Sequence, residues 1–290
     1  MSVPHAATAI SGAPGGAAGP AGPAGPAFAG VDRAERRVAG AGVRLAVRHL
    51  TMRYPNGHTA LHDVSLSVDA GEMVVILGSN GCGKSTLMKC VVGLNRPSGG
   101  SVEAGGRDLA ALTGQQLRAA RMSVALISQH ANLVKRRSVL ANVCTGALGR
   151  HRTLATTFGC VPTSEIEPAR GFLDEVGLLH LAAQRAGTLS GGQAQRVAVA
   201  RALAQRPQVV LADEPVASLD PEAADEVMRL LRRLATTDGL AVVCVLHQPE
   251  LATRYADRLI GMRAGRIEFD ERAASVGTQQ ISNLYSGETS

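Results

Sequence analysis

The sequence predicts an α/β fold in which a mainly parallel β-sheet is covered by helices on both faces. Three short apolar runs, at residues 72–78, 209–213 and 240–246, have the length and composition of buried strands. Helical patterns at 87–94 and 222–238 stand between these runs. A helix between two strands returns the chain to the same edge of the sheet, so this alternation predicts parallel pairing.

A smaller antiparallel β subdomain is predicted ahead of the first buried strand. Segments 44–54 and 62–71 alternate apolar and polar residues, as half-buried strands do, and Pro55-Asn56-Gly57 marks a turn between them. Two further strand-like segments flank Ala264 and Gly265, where they predict a terminal hairpin.

The remaining elements are predicted from caps and composition. Asp220 suits an N-cap and Pro221 suits the first helical position, so we expect a helix that starts there and stops at Gly239. Between about 130 and 190 the pattern is mostly helical with loops, and we interpret it as a helical subdomain inserted into the core. Residues 1–40 are rich in Ala, Gly and Pro, and we expect a disordered leader there.

The composition excludes several classes of protein. The chain has 290 residues, of which 45 % are hydrophobic, and its net charge of +6 suits phosphates, an anionic membrane face or nucleic acid without choosing among them. Its five cysteines include no CxxC pair, which argues against a disulfide framework or a zinc site and fits a reducing cytosol. The sequence contains neither an apolar run near the roughly 18 residues of a membrane span nor a signal-peptide pattern. We therefore expect a cytosolic protein that reaches a membrane only through a partner.

The strongest chemical motif lies between the first buried strand and the helix after it. It matches the phosphate-loop pattern GxxxxGK(S/T), and its residues are Gly78, Ser79, Asn80, Gly81, Cys82, Gly83, Lys84 and Ser85. The glycines let backbone N–H groups surround a phosphate chain, and the helix N-terminus adds a favourable dipole. Lys84 can reach the β- and γ-phosphates of a nucleotide, and the Ser85 hydroxyl can bind Mg²⁺. The motif predicts a P-loop NTPase.

Two carboxylates stand at the end of the second buried strand. Asp213 is placed to hold Mg²⁺, directly or through water, and Glu214 is placed to orient and polarise an attacking water. Two acids at a strand end are weak evidence alone, but here they follow a phosphate loop in the same chain. Together the two motifs predict hydrolysis of the bound nucleotide.

A third motif narrows the class of NTPase. Leu189-Ser190-Gly191-Gly192-Gln193 opens a strong helix pattern that ends at Pro207, and the acidic strand follows. In order and spacing this resembles the signature motif of ABC-type ATPases, over roughly residues 43–285. The resemblance implies one ABC ATPase domain in that range, with the parallel core, the antiparallel β subdomain and the inserted helical subdomain. It also implies that Ser190 and its glycines, an anion site at a helix start, close over ATP held by a second copy in a homodimer.

Other positions of the family can be matched one at a time. Tyr54 stands where the family has the aromatic that stacks on adenine. Gln129 stands at the Q-loop glutamine, which senses Mg²⁺ and the attacking water and faces the permease. Ser218-Leu219-Asp220 matches the D-loop, which crosses the dimer interface. His247 matches the switch histidine, whose imidazole can bridge the γ-phosphate and Glu214.

The resemblance therefore implies a complete set of residues for ATP and Mg²⁺. The catalytic residues that it implies are Glu214, His247 and Gln129. The metal-binding residues are Ser85, Gln129 and Asp213. The nucleotide-binding residues are Tyr54, Gly78, Ser79, Asn80, Gly81, Cys82, Gly83, Lys84, Ser85, Thr86, Ser190, Gly191, Gly192, Gln193 and Asp220.

The sequence between the motifs points to one transport system. The segments NLVKRRSVLANV, TGALGR and LADEPVASLDP, with Leu246-His247-Gln248, are similar to the ATPases of phosphonate importers. The similarity implies a peripheral place on the cytoplasmic face of the membrane, integral membrane permease subunits as partners, an extracytoplasmic solute-binding protein that acts indirectly, and no nucleic acid. Lys135, Arg136 and Arg137 follow the Q-loop, where they either meet acidic residues of the permease or are solvated.

Other interpretations are weighed against this one. An importer of another oxyanion such as phosphite, or an ABC exporter or lipid-extraction system, would carry the same motifs with different sequence between them. A soluble ABC protein of DNA repair or translation would show heptad coiled coils or two cassettes, whereas this chain shows one cassette and no heptads. A degenerate, non-hydrolysing subunit would lack a motif residue, and none of the positions matched above is missing.

Overall fold

The computed structural model describes residues 42–151, 156 and 161–286. The leader predicted for residues 1–40 lies outside the described residues. Within the described part of the chain, ten strands form one four-stranded and one six-stranded sheet.

The smaller sheet is antiparallel throughout, as the alternating segments predicted. Its strands are β1 (Val43–Arg53), β2 (Thr59–Asp69), β4 (Gly99–Ala104) and β5 (Arg107–Asp108), in the order β2-β1-β4-β5. The turn at Pro55-Asn56-Gly57 joins β1 to β2. No sequence pattern predicted β4 or β5, because β4 opens with two glycines and β5 has two residues.

The larger sheet confirms the prediction of a mainly parallel core. Its strands are β3 (Met73–Leu77), β6 (Val124–Ile127), β7 (Val209–Asp213), β8 (Ala241–Val245), β9 (Arg258–Arg263) and β10 (Arg266–Arg272). The strand order is β10-β9-β3-β8-β7-β6, and every neighbouring pair is parallel except the hairpin of β9 and β10. Every residue of β3 and β8 is buried, which explains their continuous apolar sequences.

Eight helices accompany the sheets in the described residues. They are α1 (Lys84–Val91), α2 (Gly114–Arg121), α3 (Val139–Cys144), α4 (Ile166–Glu175), α5 (Gly191–Ala204), α6 (Pro221–Thr236), α7 (Pro249–Tyr255) and α8 (Thr278–Tyr285). Helix α6 begins as predicted, because the Asp220 carboxylate accepts a hydrogen bond of 2.9 Å from the Ala223 N–H and Pro221 is the first helical residue. Helices α3 and α4 fall within residues 130–190, and the boundaries of a helical subdomain there stay a prediction. Among the described residues, we find no helix with the length and apolar character needed to span a membrane.

Two clusters of buried side chains cover the two faces of the larger sheet. Alternate residues of β3 belong to opposite clusters, with Met73, Val75 and Leu77 in one and Val74 and Ile76 in the other. The first cluster includes side chains of α4, α5 and α6, and the second includes side chains of α1 and the smaller sheet. Apolar side chains therefore cover both faces of the larger sheet. Polar side chains that could bind a ligand are expected in the loops at the ends of the strands.

Candidate active site

The strand order brings the predicted motifs to one edge of the larger sheet. Strands β3, β8 and β7 are consecutive parallel neighbours, so their carboxyl ends lie side by side. The phosphate loop follows β3, His247 follows β8, and Glu214 follows β7. Strand β6 pairs with β7 so that Ile127 lies opposite Ala212, and the segment that contains Gln129 leaves β6 at the same edge of the sheet. Open α/β sheets bind their ligands at this edge.

The phosphate loop is a tight turn that requires glycine at two positions. Gly78 has a φ of +151°, and a Cβ there would lie 2.2 Å from the Met262 carbonyl oxygen. Gly83 has a φ of +109°, and a Cβ there would lie 2.7 Å from the Ala60 carbonyl oxygen. Neither contact is physically possible, so the loop closes only because these residues have no side chain. Helix α1 starts at the next residue, and its N-terminus adjoins the loop.

Lys84 is the buried cation of this loop. It is 5 % exposed, and its Nζ donates hydrogen bonds of 2.7 Å to the carbonyl oxygens of both Gly78 and Ser79. The Cys82 thiol lies 3.7 Å from the same nitrogen, where a small buried side chain fits. Phosphate oxygens are stronger acceptors than carbonyls and can replace them on the ammonium group.

Asp213 has the surroundings of a metal ligand. In the described structure, its Oδ1 is buried and has no hydrogen-bond partner. Burial raises the pKa of Asp213, and the Glu214 carboxylate raises it further, while a hydrogen bond from Ser85 and the charge of Lys84 lower it in part. A cation would satisfy the buried oxygen and relieve the repulsion between the two carboxylates.

Ser85 and Asp213 together fit Mg²⁺. This ion prefers hard oxygen ligands and commonly uses one or two carboxylates together with substrate phosphates. The described residues contain no group of three or more His, Cys, Asp and Glu side chains that could hold a metal by themselves. The donor set is therefore one that a bound nucleotide would have to complete.

Glu214 and His247 form a close polar pair. Nε2 of His247 lies 2.6 Å from Oε1 of Glu214, and the two side chains are 32 % and 24 % exposed. Glu214 has a φ of +51°, and its N–H donates a hydrogen bond of 3.2 Å to the Val245 carbonyl oxygen of β8. A non-glycine residue in this conformation costs about 1–2 kcal/mol. A carboxylate held by an imidazole can accept a proton from water, and an imidazole can donate to an anion.

Tyr54 lies after β1 and beside α1. Its hydroxyl oxygen is 3.2 Å from Oγ1 of Thr86, and Nδ2 of Asn95 donates a hydrogen bond of 3.3 Å to it. Its ring is parallel to that of His58, with the centroids 6.4 Å apart. An aromatic ring fixed through its hydroxyl suits stacking on a base. Asn95 was not predicted from the sequence, because no pattern distinguishes it from an ordinary loop residue.

The signature motif forms a second helix N-terminus. Oγ of Ser190 accepts a hydrogen bond from the Gln193 N–H at 3.3 Å, and Oε1 of Gln193 accepts one from the Ser190 N–H at 3.0 Å, which makes a capping box. A Cβ on Gly192 would lie 2.8 Å from Cβ of Ala223, so this end of α5 packs closely on α6 near Asp220. Within the described part of the chain, no hydrogen bond joins Ser190 or Gln193 to the phosphate loop.

Gln129 is exposed at the start of the segment that follows β6. The sequence analysis did not anticipate what holds this segment. Nε2 of Gln195, a buried residue of α5, donates a hydrogen bond of 3.0 Å to the Ser128 carbonyl oxygen. A glutamine among the buried residues of a helix is the sequence signal that could have indicated such a contact.

These elements define the class of the protein. A phosphate loop with a buried lysine, an acid suited to Mg²⁺ and a glutamate paired with histidine meet at the carboxyl edge of a parallel sheet. They are the parts of a P-loop NTPase.

Comparison with known proteins identifies the family within this class. The model of the ABC transporter family matches residues 61–217. The chain belongs to this family, and it is an ATP-hydrolysing subunit. A solved structure of a related fold is the ATP-binding cassette MJ0796, dimeric and in a post-hydrolysis state bound to ADP and Pi. It has a TM-score of 0.69 and 31 % identity, over 79 % of this chain and 98 % of that one.

Curated relatives are similar over most of the chain. The Phosphonates import ATP-binding protein PhnC of Frankia casuarinae is 50 % identical, over 78 % of this chain and 90 % of that protein. The Phosphate-import ATP-binding protein PhnC of Mycolicibacterium smegmatis is 46 % identical, over 86 % and 94 %. The Phosphite import ATP-binding protein PxtA of Stutzerimonas stutzeri is 44 % identical, over 84 % and 87 %. The predicted resemblance to phosphonate import ATPases is confirmed.

Proposed function

We propose that the chain energises an importer of phosphonates, as one of two identical ATPase subunits on the cytoplasmic face of the membrane. The observation that carries the chemistry is the 2.6 Å pair of Glu214 and His247 beside a phosphate loop. The solute class is supported by the relatives named for phosphonate import and by the similar sequence between the motifs.

The first step is binding of ATP as the substrate. Tyr54 stacks on the adenine, and the N–H groups of the phosphate loop surround the phosphates. Lys84 exchanges its two carbonyl partners for oxygens of the β- and γ-phosphates. Ser85, Asp213 and Gln129 would hold Mg²⁺, and the bound ion would supply positive charge against the phosphates.

Hydrolysis needs a base beside the γ-phosphate. The ionised Glu214 carboxylate orients a water molecule and accepts its proton as the water oxygen bonds to the γ-phosphorus. The bond between that phosphorus and the bridging β–γ oxygen breaks, which leaves ADP and phosphate. His247 fixes the carboxylate and, as a donor, stabilises the phosphate that is formed.

The dimer completes each site. In one copy, Ser190 stands at a helix N-terminus that makes no hydrogen bond with its own phosphate loop within the described residues, so it is available to bind phosphate from elsewhere. Ser190, Gly191, Gly192 and Gln193 of one copy close over the ATP held by the other, and Asp220 lies at the interface. The dimeric MJ0796 cassette supports this arrangement.

Membrane partners convert closure of the dimer into transport. The permease contacts the segment that starts at Gln129, and an extracytoplasmic binding protein recognises the solute without touching this chain. Relatives are named for phosphonate, phosphate and phosphite import. These solutes share a tetrahedral phosphorus oxyanion, so phosphite import is the second candidate.

Uptake by cells that lack the gene tests the proposal. The cells are complemented with the normal chain or with Glu214→Gln, and they receive labelled methylphosphonate, phosphite or phosphate in separate assays. We expect the normal chain alone to restore methylphosphonate uptake. Restored uptake of phosphite or phosphate only would reassign the solute. No restored uptake from a chain that still hydrolyses ATP in purified form would contradict an importer of these anions.

A further inference from the structure

A set of hydrogen bonds, here called the brace, joins α5 to the segment that follows β6. Nε2 of Gln195 donates to the Ser128 carbonyl oxygen at 3.0 Å. The Arg201 guanidinium donates to the carbonyl oxygens of Ala131 at 2.7 Å and Asn132 at 2.9 Å. The brace therefore holds the backbone on both sides of Gln129 and His130, which are exposed.

The brace is costly to break. Gln195 is 2 % exposed, and burial lowers the pKa of Arg201, as expected for a guanidinium largely removed from water. Leaving a buried polar group without its partner destabilises the fold, and leaving a charged group unpaired destabilises it more. Asn132 has a φ of +49°, so one of the carbonyls bound by Arg201 belongs to a residue in the left-handed conformation. The bonds to Arg201 hold this conformation in place.

The brace connects two parts of the proposed ATP site. Gln129 lies inside the braced segment, which leaves β6 at the sheet edge where Glu214 follows β7. Helix α5 supplies the side-chain donors of the brace. Ser190 is its N-cap, and the helix runs for 14 residues after it. One rigid helix therefore reaches from the backbone around Gln129 to the N-terminus proposed to bind the partner's ATP.

We propose that Gln195 and Arg201 are positioning residues that make the Gln129 segment and the Ser190 end of α5 move as one unit. The inference rests on the proposed function, in which Gln129 serves the nucleotide of its own subunit and Ser190 the nucleotide of the other. ATP that draws Gln129 toward the phosphate loop then also orients Ser190 for the partner. Without the brace, ATP still binds to each subunit, but closure of the dimer is weakened.

The C-cap residue of α5, Gln205, offers a matched control. Its Nε2 donates to the carbonyl oxygens of Arg121 at 2.9 Å and Val124 at 2.8 Å, which both precede the braced segment. Loss of these bonds lowers stability in the same way but leaves the Gln129 segment attached to α5.

The test uses the full chain carrying Glu214→Gln as the parent, so that bound ATP persists. Sedimentation measures ATP-driven dimerisation, equilibrium binding to dilute monomer measures ATP affinity, and hydrogen exchange follows residues 128–134. We expect Arg201→Met to weaken dimerisation by about tenfold or more, as for one lost charge-assisted hydrogen bond. It should also raise exchange in residues 128–134 and leave the ATP affinity of the monomer unchanged. Gln195→Met should act in the same direction, and Arg201→Lys should restore part of the dimerisation.

The Gln205 variant shows whether dimerisation depends on the position of the Gln129 segment or only on the stability of the fold. Gln205→Met should lower Tm while it dimerises like the parent. The inference is overturned if Arg201→Met dimerises like the parent, or if Gln205→Met loses dimerisation to the same extent. A parent that stays monomeric with ATP would instead contradict the proposed dimeric function, and the inference would fall with it.

Discussion

Asp213 and Glu214 both occupy positions that are unfavourable for folding. The buried Oδ1 of Asp213 has no hydrogen-bond partner among the described residues, and Glu214 has a left-handed backbone. Proteins retain such costs mainly where function requires them. Under the proposed function, a cation would satisfy the buried oxygen of Asp213, and the backbone of Glu214 would hold its carboxylate in place beside His247.

We predict that Asp213→Asn stabilises the fold while it abolishes Mg²⁺-dependent hydrolysis. Because the folded state raises the pKa of Asp213, the folded protein binds this proton more tightly than the unfolded chain. Stability therefore falls as the pH rises through the ordinary and the raised pKa, and the full penalty is present at neutral pH. Asparagine has the same shape without the charge.

Calorimetry without nucleotide checks this prediction. Near neutral pH we expect Tm to rise by about 2–4 °C, which corresponds to about 1 kcal/mol for a domain of this size. The difference should shrink as the pH falls through the raised pKa of the folded state toward the ordinary aspartate pKa of about 4. A variant that melts below the normal chain at neutral pH would contradict the assigned cause of the pKa shift.

At the residue scale, the sequence predicts candidate residues for the site but not the contacts that hold them. The residues of the phosphate loop follow one another in the sequence, and so do Asp213 and Glu214. Each motif can therefore be recognised from the sequence alone. The contact between Glu214 and His247 depends on β8 lying beside β7, which is a property of the strand order. The left-handed backbone of Glu214 depends on its bond to Val245, and no local pattern encodes it.

At the element scale, Glu165, the N-cap residue of α4, connects α4 to the end of α5 through Arg150. Its carboxylate accepts a hydrogen bond of 2.6 Å from Arg150, and its other oxygen lies 2.6 Å from Nε2 of His151. Arg150 also donates to the carbonyl oxygen of Ala204, the last residue of α5, at 3.0 Å. The buried carboxylate therefore organises a contact between two parts of the chain.

We predict that Glu165→Gln destabilises the protein in a pH-dependent way. Burial alone would raise the pKa of Glu165, but hydrogen bonds from His151 and the Arg150 charge hold it below its ordinary value. The stabilisation is present above the unfolded pKa and is lost as the pH falls through the folded one. At neutral pH we expect a loss of about 2–3 kcal/mol in the free energy of unfolding.

Urea unfolding over a series of pH values measures this loss. The difference from the normal chain should narrow below about pH 4. Glu103→Gln removes an exposed ion pair with Arg48 and should cost less than about 1 kcal/mol. A Glu165→Gln penalty that is the same at every pH would show that the ionised carboxylate is not its source.

The elements that the sequence did not predict are short or lie at sheet edges. Strand β6 has four residues and is defined by its pairing with β7 rather than by its own composition. Helix α2 has one buried residue, so it lacks a clear apolar stripe. Strands β3, β7 and β8 and helix α6, with its Asp220 cap, were predicted because continuous apolar runs and caps leave strong local signals.

At the scale of the whole molecule, one chain holds the parts of an ATPase site in two places. The phosphate loop, Asp213, Glu214 and His247 share one sheet edge, whereas Ser190 stands at the start of α5 and bonds to its own helix. A second copy would bring the two places together.

The most direct test of this account is the steady-state rate of ATP hydrolysis by the purified full chain and by Glu214→Gln, with Glu103→Gln as the control. We expect Glu214→Gln to lower kcat by at least about 100-fold, the usual contribution of a general base, because the amide cannot accept the proton. The variant should still bind ATP and accumulate as an ATP-bound dimer, and the control should hydrolyse ATP like the normal chain. A Glu214→Gln chain that hydrolyses ATP at a near-normal rate would contradict the assignment of Glu214 as the base.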